Sequence, residues 1–112
     1  MASTLQVLRD IIAIPSVNPM RATNGEYVEK GMANFIEAVL SEARIDCERQ
    51  TVAEGRDNVI AIVHSTDSDG GGLMLNSHMD TVPVDNTNEF IEVKQVELAT
   101  RMYRHLLANW NA

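Results

Sequence analysis

The sequence predicts an α/β fold, with a small sheet of about three strands flanked by two N-terminal helices and one C-terminal helix. Apolar residues recur at helical spacing towards both ends of the chain. β-branched residues cluster between positions 58 and 64, as in a buried strand. Turn and loop residues occupy 54–57 and 65–72, between the predicted strands. A chain of 112 residues has the length of one domain and is large enough for a modest core, and it contains no internal repeat, so we expect residues 1–112 to form a single domain.

The first helix is predicted from a capping box and an apolar face. Ser3 stands three residues before Gln6, so its hydroxyl can accept from the Gln6 backbone N–H. Pro15 and Pro19 are expected to end the helix, because proline restricts the backbone of its own and the preceding residue. The apolar face consists of Leu5, Val7, Leu8, Ile11 and Ile12.

Two further helices follow from the same kind of pattern. A helix of about 17–20 residues is predicted after a second capping box, formed by Thr23 and Glu26. Its apolar residues are Val28, Met32, Phe35, Ile36, Val39 and Leu40. The C-terminal helix is predicted from about Val93 to about Asn109. Its apolar stripe is formed by Val96, Ala99, Met102, Tyr103, Leu106, Leu107 and Trp110.

The three predicted strands lie in the middle of the chain. Residues 45–52 are a strand candidate whose pattern is diluted by polar side chains. Asn58–His64 is apolar on both faces, as a buried strand would be. Leu73–Ser77 is the third strand. Residues 65–72 are polar and end in three glycines, so we expect a flexible loop there.

Charge and cysteine content limit the partners and the compartment. Sixteen acidic residues against nine basic ones give a net charge of -7, which argues against a nucleic-acid groove or an anionic membrane surface. Cys47 is the only cysteine and cannot form an internal disulfide, which favours a reducing compartment. No apolar run approaches the ~20 residues needed to span a bilayer, and the amino terminus lacks a secretory signal pattern. We therefore expect a cytoplasmic protein.

The segment with most chemical information runs from Leu73 to Pro83 and contains His78 and Asp80. A histidine at the carboxyl tip of a strand can offer one ring nitrogen to a metal ion. A carboxylate two residues later can hold the other ring N–H and fix the tautomer. His78 is therefore the candidate metal ligand and Asp80 the candidate orienting residue. The alternatives are a structural histidine and an Asx-type turn before Thr81.

Four parts of the chain resemble the M20 family of metal-dependent peptidases and deacylases, which includes acetylornithine deacetylase and succinyl-diaminopimelate desuccinylase. They are Leu8–Pro19, Gly55–Ala61, Leu73–Pro83, and Asn88–Ile91 with Val96–Tyr103. The resemblance implies a hydrolase that uses Zn²⁺ or Co²⁺ to cleave amide bonds in N-acyl amino acids or small peptides. In that chemistry the metal lowers the pKa of its bound water, and a glutamate takes the proton as general base.

The same resemblance implies that the centre of the catalytic domain is missing. Residues 84–90 form a junction in place of the family's lid or dimerisation domain, its other metal ligands and its general-base glutamate. Catalytic zinc usually has three protein ligands, whereas the motif supplies His78 alone. We expect weak metal binding and activity that is absent or strongly impaired. The alternative is a non-catalytic remnant or engineered fragment that acts as a small folded module or self-associates through an exposed sheet edge.

Other side chains could supplement His78. His64 follows the neighbouring predicted strand and would lie beside His78 if the two strands were parallel and adjacent; otherwise it is a polar residue at a strand end. His105 on the C-terminal helix is expected to be solvated. Carboxylates on the loop and after the motif could complete a weak site: Asp67, Asp69, Asp85 and Glu89.

Overall fold

A computed structural model describes residues 2–18, 29–64, 66, 71–81 and 91–110. Within these residues the fold is a small α/β arrangement of three helices and a two-stranded antiparallel sheet. The elements in chain order are α1 (Thr4–Ala13), α2 (Glu29–Glu42), β1 (Cys47–Ala53), β2 (Arg56–Ala61) and α3 (Val93–Ala108).

Helix α1 begins and ends where the sequence predicts. The Ser3 hydroxyl accepts from the Gln6 backbone N–H at 3.2 Å, which confirms the N-terminal cap. The Gln6 side chain does not complete a capping box; it donates to Asp10 at 2.9 Å. Ile14 leaves the helical conformation, with φ -89° and ψ 118°. This is the conformation that the following Pro15 favours.

Helix α2 is described over 14 residues, and the proposed capping box at Thr23 and Glu26 lies outside the described residues, so the predicted start of the helix stays a prediction. Its C-terminal end is a Schellman motif. The Ile45 N–H bonds to the Leu40 carbonyl at 2.9 Å, and the Arg44 N–H bonds to the Ser41 carbonyl at 2.9 Å. Arg44 occupies the left-handed region, with φ 58°. The chain then reverses direction and enters β1.

Strands β1 and β2 form a hairpin in which Cys47 pairs with Ala61 and Ala53 with Arg56. The turn is at Glu54–Gly55, and Gly55 has φ 71°, which a residue without Cβ adopts readily. The strand candidate at 45–52 and the turn at 54–57 are therefore confirmed, with slightly different limits.

Arg49 on β1 connects the hairpin to α2. Its Nη2 donates to Asn34 Oδ1 at 2.9 Å, and its Nε lies 3.3 Å from Asp57 Oδ2 on β2. Because Asn34 belongs to α2 and Asp57 to β2, one guanidinium joins three elements. The helix and the hairpin therefore form the best-connected part of the described structure.

The prediction of a third strand at Leu73–Ser77 is wrong. The described residues contain two strands, and 71–80 has no ladder hydrogen bonds. Strand β2 also ends at Ala61, three residues short of the predicted His64. A strand needs a partner as well as β-branched or apolar residues. No neighbouring strand is present beside Leu73–Ser77 within the described chain, and Met74 is 83% exposed.

The core is smaller than the chain length suggests. Within the described residues, Met32 and Ala33 on α2 are the buried apolar residues. The Cα radius of gyration is 16.2 Å, against about 13 Å for a compact domain of this length. Helix α3 contacts α1 but buries none of its residues. The predicted modest core is therefore only partly formed.

Two predicted segments fall mainly outside the described residues. Of the predicted loop 65–72, only Thr66, Gly71 and Gly72 are described, and the junction at 84–90 is not described at all. The loop and the junction therefore stay predictions. Among the described helices, none is long and apolar enough to cross a membrane.

Candidate functional site

His78 and Asp80 lie on the segment between Gly71 and Thr81, which runs beside α1 and α2 without forming a strand. The His78 side chain is 83% exposed and the Asp80 side chain 26%. His78 Nδ1 lies 2.7 Å from the Asp80 backbone oxygen and 3.1 Å from Asp80 Oδ1. The two predicted site residues are therefore in direct contact.

The partners of His78 Nδ1 determine the tautomer of the ring. A backbone carbonyl oxygen and an ionised carboxylate oxygen can only accept hydrogen bonds. We therefore assign the proton to Nδ1, as inferred from the hydrogen-bond network. In the neutral ring, Nε2 then carries a lone pair. This is the nitrogen with which a histidine held by a carboxylate usually binds a metal ion.

The pKa of the Asp80 carboxyl is lowered mainly by Asn18, a residue 62 positions earlier in the chain. Asn18 Nδ2 donates to Asp80 Oδ2 at 2.6 Å. This hydrogen bond is the largest cause of the lowered pKa of Asp80, and the neighbouring His78 lowers it further. Partial burial acts in the opposite direction, because desolvation disfavours the charged form. The net effect favours the carboxylate.

The turn after α1 brings Asn18 to Asp80. The Thr81 N–H bonds to the Ser16 carbonyl at 2.8 Å, and the Asn18 N–H bonds to the Thr81 carbonyl at 2.7 Å. These two bonds form an isolated parallel bridge between Val17 and Thr81. Pro15 ends α1 just before this turn, and the residues that follow it pair with the motif segment.

His78 lies where two open clefts meet. The larger cleft, of about 700 Å³, lies between α1, α2 and the motif segment. Its apolar lining includes Ile11, Ile14, Met32 and Ile36. The smaller cleft, of about 220 Å³, is lined by charged residues of α2 and β2 as well as by His78. A substrate at His78 would therefore meet an apolar surface on one side and a charged one on the other.

The charged residues of the smaller cleft include a two-point ion pair. Arg56 Nε and Nη2 donate to the two carboxylate oxygens of Glu29 at 2.9 and 2.8 Å. The hydrogen bonds to Glu29 raise the pKa of Arg56 above its ordinary value, and the charge of Asp80 adds a smaller contribution. Arg56 is therefore a permanent cation at the edge of the candidate site.

Sequence reasoning missed Asn18 and Arg56. Their partners lie 62 and 27 residues away in the chain, so no local spacing indicates either contact. The available signal was that Asn18 and Arg56 belong to two of the segments on which the proposed M20 resemblance depends, Leu8–Pro19 and Gly55–Ala61.

Of the residues proposed to supplement His78, those that the structure describes do not join it. The parallel strand pair that would place His64 beside His78 is not formed. The four loop and junction carboxylates, Asp67, Asp69, Asp85 and Glu89, lie outside the described residues. Within the described ranges, no group of three or more His, Cys, Asp or Glu residues could hold a metal ion. His105 is exposed on α3, as expected.

Comparisons with protein-family models, curated proteins and solved structures found no match for this chain. The resemblance to the M20 family therefore depends on the sequence segments described above. Any function must be argued from those segments and from the geometry around His78.

Proposed function

We propose that the chain derives from a zinc-dependent amide hydrolase of the M20 type and retains one metal-ligand position, His78, with Asp80 behind it. The proposed substrates of the complete chemistry are N-acyl amino acids or small peptides. As this chain alone, the protein is proposed to be inactive or strongly impaired. The observation that supports the proposal is the contact of His78 Nδ1 with two acceptor oxygens of Asp80, at 2.7 and 3.1 Å.

This contact leaves Nε2 free of a proton in the neutral ring, which is the form that binds a metal ion. Imidazole is a suitable ligand for zinc and for the neighbouring divalent metals, so Zn²⁺ and Co²⁺ are both candidates. Hydrolysis requires further donors to orient the ion and a base to take the proton of its water. One imidazole and one orienting carboxylate can hold an ion weakly but cannot supply that base.

The test is zinc titration by calorimetry, combined with an assay for hydrolysis of an N-acetyl amino acid. We expect a dissociation constant below about 1 mM and no turnover. The His78→Ala variant should lose binding, whereas the Asp80→Ala variant should bind about tenfold more weakly.

His105→Ala is the matched control, because His105 is also exposed but belongs to α3. Equal losses in His78→Ala and His105→Ala would mean nonspecific binding and would contradict the proposed site. Turnover that disappears in His78→Ala would support the metal site but overturn the conclusion that the chain is impaired.

A second candidate function is self-association with another copy of the chain. The specific observation is the exposed apolar surface on Leu73–Ser77 and on α3, where Met74 and Met102 are mostly exposed. An unpaired segment of this kind can form a ladder with a second chain, and large exposed apolar patches usually mark interaction sites. The net charge of -7 makes nucleic acid or an anionic membrane a poor alternative partner.

Light scattering across a concentration series tests this second candidate. We expect a dimer or larger species that grows with concentration, and a Leu75→Lys variant that shifts the population towards monomer. A monomer at every concentration would contradict it. We also propose a cytoplasmic location, on the basis of the single cysteine, Cys47.

A further inference from the structure

A residue outside the motif holds the carboxylate that faces His78. Asn18 Nδ2 donates to Asp80 Oδ2 at 2.6 Å. The other carboxylate oxygen, Oδ1, lies 3.1 Å from His78 Nδ1. Each carboxylate oxygen of Asp80 therefore has its own partner. The side chains of Asn18, Asp80 and His78 form a continuous row.

We propose that Asn18 is a positioning residue, which fixes the rotation of the Asp80 carboxylate and thereby, together with the Asp80 backbone oxygen 2.7 Å from Nδ1, the tautomer and orientation of the His78 ring. The proposal deepens the proposed function, on which it rests for its effect on metal binding. The effect on the His78 ring is a property of the metal-free chain and can be measured independently.

The argument begins with the freedom of an aspartate side chain. Its terminal torsion is broad, so a carboxylate with one partner can rotate and exchange its two oxygens. A second partner on the other oxygen removes this freedom. Asn18 is that second partner for Asp80, and at 2.6 Å the contact is short for a hydrogen bond from an amide nitrogen.

Asn18 is itself held in place by the backbone. Its N–H bonds to the Thr81 carbonyl at 2.7 Å, and the Thr81 N–H bonds to the Ser16 carbonyl at 2.8 Å. Thr81 directly follows Asp80. The donor and the acceptor of the side-chain bond therefore project from two segments whose relative position is already fixed.

Because of this arrangement, positioning of the Asp80 carboxylate by Asn18 can be distinguished from the pairing of the two segments. The backbone bonds at Ser16, Asn18 and Thr81 join the segments whatever side chain stands at position 18. Removal of the Asn18 amide should therefore leave the segments paired but release the carboxylate. If Asn18 had only a structural role, its replacement would instead change the fold and would leave the orientation of the His78 ring relative to Asp80 unchanged.

The first measurement is ¹⁵N NMR of the His78 ring nitrogens in the metal-free full chain, at a pH where the ring is neutral. In the wild-type chain we expect the tautomer with the proton on Nδ1. In Asn18→Leu, which is close to isosteric but has no donor, we expect a partial shift towards the Nε2–H tautomer that free histidine favours, because Nδ1 keeps the Asp80 backbone oxygen at 2.7 Å but loses a fixed carboxylate oxygen.

Asn34→Leu is the matched control. The Asn34 side chain also makes a hydrogen bond, in which Oδ1 accepts from Arg49 Nη2 at 2.9 Å, and it lines neither cleft at His78. The control should keep the wild-type ring signals. If circular dichroism shows that Asn18→Leu does not fold, Asn18→Ala, which also lacks the donor, takes its place.

The second measurement is a double-mutant cycle on zinc affinity. We expect Asn18→Leu to weaken binding by about tenfold, as loss of an outer partner of a ligating histidine commonly does. In the Asp80→Ala background, Asn18→Leu should have no further effect, because its action passes through Asp80. A full additive loss in that background would contradict the proposed route.

Unchanged His78 ring signals in a folded Asn18→Leu or Asn18→Ala variant would overturn the proposal. So would an equal change in Asn34→Leu. If the wild-type chain binds no zinc but Asn18→Leu still shifts the tautomer as expected, the proposed metal site is wrong and the positioning role of Asn18 stands.

Discussion

Helices α2 and α3 have similar lengths, 14 and 16 residues, and both carry an apolar stripe, yet they differ in burial. Helix α2 packs against β2 and buries Met32 and Ala33. Helix α3 buries none of its residues in the described structure, and Met102 on its stripe is 64% exposed. An amphipathic pattern therefore accounts for a helix, but the surface that covers it must come from elsewhere in the chain or from a partner.

The largest expected difference between the two helices concerns their methionines. Met32 is 4% exposed, so Met32→Ala should lower the free energy of unfolding by about 2–3 kcal/mol through lost burial and a new cavity. Met102→Ala should change it by less than about 0.5 kcal/mol. Chemical denaturation of both variants gives the two values. Equal losses would mean that α3 is covered in solution, for example by a second copy.

The next effect concerns ion pairs in the same two regions. Arg56→Gln removes the guanidinium partner of Glu29, whose side chain is almost fully buried. Because it leaves a buried charge without its partner, the substitution should clearly lower the midpoint temperature of thermal unfolding. The Lys94–Glu92 pair beside α3 is exposed, so Lys94→Gln should change stability by at most about 0.5 kcal/mol. Thermal unfolding followed by circular dichroism measures both. If the order were reversed, the packing described for α2 and β2 would be wrong.

The smallest effect is the pH dependence contributed by Asp80. Its pKa is lowered from 3.8 in the folded chain, so the unfolded chain binds the proton more readily. The contribution to stability is therefore fully present above about pH 4 and is lost as the pH falls through the lower folded-state pKa. The stability difference between wild type and Asp80→Asn should narrow over that acidic range.

Asn18→Leu provides the control for the pH dependence, because the Asn18 hydrogen bond is the largest cause of the lowered pKa. When Asp80 and Asp80→Asn are compared in the Asn18→Leu background, the part of their stability difference that is lost at acidic pH should be smaller. An Asp80→Asn difference that stays constant from neutral to strongly acidic pH would contradict the interpretation of this carboxylate.

The sequence predicts the parts of this structure that depend on neighbouring residues. The Ser3 cap, the end of α1 before Pro15 and the turn at Gly55 are all determined within a few residues. The contact between His78 and Asp80 is also local, since they are two residues apart.

Features that depend on distant partners could not be predicted in the same way. Leu73–Ser77 has the composition of a strand but forms no ladder, because the composition does not specify a pairing partner. Asn18 reaches Asp80 across 62 residues, and no spacing within either segment indicates this. The site was therefore predictable as a pair of residues but not as a row of three.

The Schellman motif at the end of α2 places Arg44, a residue with a Cβ, in the left-handed region at φ 58°. A non-glycine residue there costs about 1–2 kcal/mol. The angle at which the hairpin leaves the helix depends on this unfavourable conformation, and the hairpin in turn carries Arg56 to Glu29. The position of the Arg56–Glu29 pair in the charged cleft thus depends on the left-handed backbone conformation of Arg44, which lies more than ten residues away from either partner.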